Sequence, residues 1–177
     1  MKKVISLLLT AVMLIGAMSI TASAVNGSTW SEGAYSVVIA ASVNYRSGPG
    51  TNYDIVPGEK ATWGQQIYQG WKATLGSDGK YWRPAAVDNT KWICLDYIAT
   101  YNANVLDFIY GKVSGVSSNL AVRQAPTTNA PSIGSLQNNA AVSILAITHY
   151  QINGHYWYMI GYGSGAGWVA SDYIVEA

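Results

Sequence analysis

Val43-Asn44-Tyr45-Arg46-Ser47-Gly48-Pro49-Gly50-Thr51-Asn52-Tyr53 has a partner 77 positions later, where Leu120-Ala121-Val122-Arg123 is followed by Pro126, Thr128 and Asn129 in place of Pro49, Thr51 and Asn52. Two further blocks repeat in the same order. Gly79-Lys80-Tyr81-Trp82 matches Gly154-His155-Tyr156-Trp157 at an offset of 75, and Trp92-Ile93-Cys94-Leu95-Asp96-Tyr97-Ile98 matches Trp168-Val169-Ala170-Ser171-Asp172-Tyr173-Ile174 at 76. Three ordered blocks with nearly constant spacing read as a tandem duplication. The units are expected at 33–102 and 111–177, joined by a linker at 103–110.

Within each unit the local signals are β. Val142-Ser143-Ile144-Leu145-Ala146-Ile147 is a mostly apolar run, and Asn153-Gly154 separates it from Tyr156-Trp157-Tyr158-Met159-Ile160, the sequence form of a tight hairpin. Ser77-Asp78-Gly79 does the same turn work ahead of Tyr81-Trp82. Short strands, glycine-rich turns and no helical period beyond the N-terminal segment predict an all-β chain of two small barrels.

The N-terminal segment has the tripartite form of a secretory signal: Lys2 and Lys3, an apolar stretch from Val4 to Ile20, and the small-residue site Ala22-Ser23-Ala24. The alternative is a retained anchor, but Ser6, Thr10 and Gly16 interrupt the apolar stretch and a cleavage site follows it. The reading is therefore a signal peptide at 1–24, cleaved after Ala24, an N-terminal segment at 25–32, and a secreted or extracellular product without stable membrane insertion. With no cysteine at the cleavage point and no basic hydrophobic tail, retention at a surface is expected to be non-covalent.

Removal of the signal leaves eight basic against nine acidic residues, and the basic ones are scattered singly. This argues against a nucleic-acid partner, which requires clustered Lys and Arg. The lone Cys94 excludes an internal disulfide, so packed cores must supply stability. Seven Trp and thirteen Tyr stand against one Phe. Such residues carry a large apolar face and a polar edge, and serve both a core and a recognition surface.

The segment from Val43 to Tyr53 is similar to the opening motif of bacterial SH3 domains, a strand followed by an Arg-Ser-Gly-Pro loop. Each unit also closes as that family does, with Gly-x-Tyr-Trp on a strand and then Lys91 to Ile98 or Gly167 to Ile174. The resemblance implies two tandem SH3-like β-barrels. It also implies a non-catalytic binding role on peptidoglycan or another cell-wall polymer; the alternative is an interaction or inhibitor module for a polypeptide.

Candidate chemistry is weighed against architecture residue by residue. Cys94 aligns with Ala170 between apolar neighbours and reads as core rather than as a thiolate nucleophile. His155 aligns with Lys80 beside a turn and reads as solvated; with His149, Asp172 or Glu176 it lacks tight metal-ligand spacing. No two acids are paired by any sequence feature, and no catalytic residue, metal or cofactor is expected. Asp96 and Asp172 are expected to end the last strand by accepting local backbone N–H bonds. Trp82, Trp92, Trp157 and Trp168 match across the copies and are assigned to the core. Tyr45, Tyr53, Trp63, Tyr68 and Trp71, unmatched or near the variable loop, are the candidates for an exposed stacking face. Arg46, matched by Arg123, either clamps a ligand carboxylate or ties its loop back to the chain. In the second copy Gln124-Ala125-Pro126 replaces Ser47-Gly48-Pro49, which predicts a less permissive loop and unequal binding by the two units.

Overall fold

The computed structural model describes residues 34–67, 72–103 and 106–177. The expected signal peptide and segment 25–32 lie outside the described residues. Among those described there are β-strands and one-turn 3-10 helices but no α-helix, and no helix is long and apolar enough to cross a membrane. The all-β expectation is met.

Eight strands occupy the first part of the chain: β1 Ala34–Val38, β2 Val43–Arg46, β3 Ile55–Ala61, β4 Gln66–Ile67, β5 Thr74–Leu75, β6 Tyr81–Pro84, β7 Trp92–Cys94 and β8 Ile98–Asn102. Seven follow: β9 Tyr110–Val113, β10 Asn119–Arg123, β11 Ser132–Gln137, β12 Ala141–Thr148, β13 Trp157–Tyr162, β14 Gly165–Ala170 and β15 Ile174–Glu176. One-turn helices at Leu95–Tyr97 and Ser171–Tyr173 precede β8 and β15.

Strand registers correspond between the two parts. Arg46 faces Trp92 as Arg123 faces Trp168, and Trp82 faces Cys94 as Trp157 faces Ala170. Val38 faces Ile98 as Val113 faces Ile174, and Ser36 faces Ile67 as Gly111 faces Val142. Turn chemistry is as the residues require. Asn153 and Gly154 both have positive φ, 54° and 81°, the combination a tight hairpin turn demands.

Each part has its own core. Val38, Val43, Tyr45, Ala61, Ile67, Ile93 and Ile98 fill the first, and Val113, Leu120, Val122, Val142, Ile144, Ile160, Val169 and Ile174 fill the second. A third cluster draws on both: Val37, Ala99 and Tyr101 pack with Ala146, Ile152, Trp157, Trp168 and Ala170. Strand alternation explains it. Val38 points into the first core while its neighbour Val37 points at the second part, and Val169 points into the second core while Trp168 and Ala170 point back.

The two parts also share hydrogen bonds. β12 pairs with β9 through Ala141–Ser143 and with β8 of the first part through Ile147 and Thr148. A register irregularity between Ile144 and Ala146 lets one eight-residue strand serve both partners, because bulges bend the strand that carries them. The result is a sheet running β11-β10-β14-β13-β12-β8-β1-β4, beside a second sheet β3-β2-β7-β6-β5. The His149 N–H donates to Thr100 O at 2.9 Å and the Tyr150 hydroxyl to Ile98 O at 3.2 Å. Tyr101 meets Trp168 edge-on with ring centroids 5.2 Å apart.

Burial on both faces of β1 and β8 makes the two parts one folding unit. Replacing Tyr101 by Ala removes a ring that is 2% exposed, which costs about 3–5 kcal/mol for an aromatic truncated in a core. In urea unfolding followed by Trp fluorescence, the intact chain is expected to give one transition and Tyr101→Ala to lower its midpoint. Two separated transitions in the intact chain would contradict the shared core.

Candidate functional site

The loop after β2 is tied back by its arginine in both parts. Arg46 Nη1 donates to Thr51 O at 3.0 Å and to Tyr53 O at 2.7 Å; Arg123 Nη1 donates to Ala130 O, also at 2.7 Å. Of the two roles open to Arg46, the structure places its guanidinium in the loop tie. The loop is braced from the opposite hairpin as well. Asp78 accepts the Thr51 N–H at 3.2 Å, and Asn153, its counterpart, accepts the Thr128 N–H at 3.3 Å.

Asp78 does more than its counterpart. It also accepts from the Lys80 N–H and from Trp82 Nε1, so Trp82 is buried with its indole nitrogen satisfied. Although burial pushes the carboxyl pKa up, the hydrogen bonds from Lys80, Trp82 and Thr51 outweigh it and hold Asp78 below the usual carboxylate range.

The altered loop of the second part has a physical reason. A Cβ at Gly48 would lie 2.2 Å from the Tyr53 ring. Ala125 is accommodated at the matching position because Ala130 stands where Tyr53 does. Tyr53 is 42% exposed and remains a candidate contact at the loop surface.

The other nominated residues separate. Tyr45 was expected on an exposed stacking face, but its ring is buried in the first core and 6% exposed, because β2 alternates and position 45 points inward. Only its hydroxyl reaches a polar surface, where Gln65 Nε2 donates to it at 3.1 Å. Burial raises the Tyr45 pKa, partly offset by the charge of Lys91. Trp63 is half-buried in the turn before Gly64, whose backbone abuts Gln124 O across the junction of the two parts. Tyr68 and Trp71 lie outside the described residues.

Asp96 and Asp172 do not cap the helices they sit in. Each instead contacts the basic side chain facing it: Lys80 Nζ lies 2.6 Å from Asp96, and His155 Nδ1 lies 2.7 Å from Asp172. The exchange of Lys for His between the two parts thus preserves a contact. Beside each pair stands an exposed aromatic, Tyr97 at 41% and Tyr173 at 36%, and Lys80 Nζ lies 6.0 Å from the Tyr97 ring centre. These tyrosines are conspicuous only in the structure. The matched Asp-Tyr in the closing blocks was the available signal, but a repeat match alone does not distinguish scaffold from surface.

Beside His155 the second part opens a cleft of about 380 Å³, walled also by Asn119, Arg123, Thr128, Trp157 and Tyr173. Residues 118–175 match the bacterial SH3 domain family. The match covers about a third of the chain, encloses β10 to β14 and contains most of this cleft's lining. It falls on the second part, although the opening motif is more legible in the first. No curated protein matches the chain.

Neither histidine lies beside the thiol, which is on β7 of the first part. Cys94 is 1% exposed, and burial pushes its pKa up, away from the thiolate. His149 is half-buried, and burial lowers its pKa. Among the described residues no group of three or more His, Cys, Asp or Glu side chains is placed to hold a metal ion.

Two predictions follow from the loop. Gly48→Ala is expected to destabilise by about 1–3 kcal/mol, the usual cost of overpacking, and Tyr53→Ala in the same chain to recover most of it. Additive losses in thermal melts of the double variant would refute the steric account. Because the folded Asp78 carboxyl titrates below its unfolded value, its contribution is present at neutral pH and fades as pH falls through the carboxylate range. Asp78→Asn keeps an acceptor for Thr51, as Asn153 does for Thr128. Its urea midpoint should therefore decline less than that of the unchanged protein between pH 7 and pH 3, and parallel curves would exclude the assignment.

Proposed function

We propose that this chain is a secreted, non-catalytic binding protein made of two SH3-like modules in tandem, attaching to peptidoglycan or a related cell-wall polymer. The observation that carries this reading is the family match at residues 118–175, which contains most of the lining of an open cleft with hydroxyl, amide and aromatic side chains. Such a lining suits a glycan or extended peptide, whose polar groups need hydrogen-bond partners and whose apolar faces need a ring to rest on.

The tandem arrangement is supported by the repeated sequence blocks and by corresponding registers, loop ties and contacts of Asp96 and Asp172 with Lys80 and His155. Secretion is supported by the N-terminal Lys-apolar-Ala-Ser-Ala pattern. Because the modules share a core, a polymer engaging both meets them at a set spacing. Linkage of two modest sites raises overall avidity by roughly 10²–10⁴ when geometry permits both to engage.

In the cleft, Tyr173 supplies the stacking face. His155 and Asn119 supply polar contacts beside it. Mature protein mixed with purified sacculi is expected to sediment with them, and Tyr173→Ala to weaken retention about tenfold, the effect of losing one aromatic contact. Absence of retention for the unchanged protein, with a discrete co-purifying polypeptide instead, would replace the wall reading by that of a protein-interaction module.

A further inference from the structure

The two parts differ most where the β6–β7 and β13–β14 hairpins meet the neighbouring strand. In the second part this place is closed. Tyr162 reaches over Gly134, where a Cβ would lie 1.9 Å from the tyrosine hydroxyl, and Val122 packs on Gly167, where a Cβ would lie 2.3 Å from its methyl group. The two glycines leave room for the side chains that seal it.

Strand register locates the same place in the first part. The Ala85 N–H donates to Lys91 O at 2.7 Å, as Ile160 pairs with Gly167, so Lys91 stands at Gly167 and Ala85 at Ile160. Tyr45 stands at Val122. Val87, two residues beyond Ala85 as Tyr162 is two beyond Ile160, has left the strand and is 77% exposed. The opposite wall is altered as well. Asn44 faces Lys60 and Arg46 faces Ile55, so residues 56–59 form an enlarged bulge with Gly58 at φ 74°, whereas Val122 and Arg123 face Gly134 and Ser132 across a one-residue irregularity.

These changes open a cleft of about 410 Å³, lined mainly by polar groups from Tyr45, Glu59, Lys60, Gln65, Gln66 and Lys91. Its wall is preorganised: Gln65 accepts the Thr62 N–H at 3.2 Å while donating to the Tyr45 hydroxyl, and Gln66 Nε2 donates to the Tyr101 hydroxyl at 3.0 Å. Groups already held in place lose little freedom when a ligand binds. Lys91 and Glu59 form an ion pair at the mouth, with side chains 31% and 47% exposed. A pair so solvated is weak, and an incoming anion exchanges with Glu59 at small cost. Two lysines against one glutamate leave the cleft with an excess positive charge.

We propose that this cleft is a second binding site, specific for a carboxylate-bearing ligand, with Lys91 and Lys60 taking the carboxylate and Gln65, Gln66 and the Tyr45 hydroxyl holding polar groups beside it. The inference rests on the reading of the chain as a binding protein, but on neither wall attachment nor the Tyr173 cleft. The carboxylate has two chemical sources, the C-terminus of a peptide or an acidic sugar.

The test is a titration of ¹⁵N-labelled mature protein with N-acetyl-Ala-Ala, with its C-terminal amide, and with glucuronate. Saturating shifts at the backbone amides of Lys60, Gln65, Gln66 and Lys91 with the peptide acid or with glucuronate, and not with the peptide amide, support the site and identify its source. Lys91→Gln is expected to weaken that binding roughly fivefold to tenfold, the effect of losing one charge-assisted bond, with an unchanged melting temperature and unchanged Tyr173-dependent sedimentation with sacculi. Filling the cleft by Ala85→Ile should abolish the shifts, its fold being checked by an otherwise preserved spectrum. No saturable shift with either acid at millimolar concentration, or equal shifts with the amide, overturns the proposal. Loss of sacculus binding in Tyr173→Ala alone bears on wall attachment and leaves this cleft untouched.

Discussion

One strand, β12, carries the architecture, because its first half completes the sheet of the second part and its second half pairs with β8 of the first. The bend between Ile144 and Ala146 makes this possible, and the apolar cluster around Tyr101 and Trp168 makes it stable. A pair of backbone contacts alone would be exchangeable with water. Backed by buried Val37, Ala99, Trp157 and Trp168, it becomes a permanent junction. Units of this size lie near the lower limit for independent folding, and the shared cluster adds buried apolar area to both.

The same framework supports two different surfaces. At the loop after β2, Gly48 with Tyr53 in one part exchanges for Ala125 with Ala130 in the other, so the added methyl group goes with loss of the ring it would meet, while the arginine tie is kept. At the hairpin wall, Gly134 and Gly167 with Tyr162 are replaced by a Glu59–Lys91 pair and an opening. Beside the closing helices the contact is retained with a changed side chain, Lys80 or His155 against Asp96 or Asp172. Backbone ties and strand registers are thus held in common, while the side chains at the loop and at the hairpin wall diverge.

The legible part of the site was the part set by local pattern. Alignment of Cys94 with Ala170 announced a buried thiol, whereas Arg46 beside a Gly-Pro loop left a ligand clamp and a loop tie both open until its hydrogen bonds to Thr51 and Tyr53 were seen. Tyr45 was misplaced because an unmatched aromatic resembles a surface ring when only its counterpart, Val122, is considered; strand alternation sends both inward. The roles of Asp96 and Asp172 were missed because their partners lie 16 and 17 residues away, beyond the reach of turn chemistry.

By itself, the sequence determined the all-β class, the repeated order of strands and turns, the tight hairpin at Asn153-Gly154 and the alternation that divides core from surface. These follow from short-range stereochemistry and the two-residue period of a strand. Only the tertiary structure decided that the two parts share a sheet and a core, that Trp168 faces the other part, and which exposed side chains surround a cleft. Those outcomes depend on contacts between residues far apart in the chain, such as Tyr101 with Trp168 and Tyr162 with Gly134. No local pattern specifies which faces meet when two apolar surfaces are both available for burial.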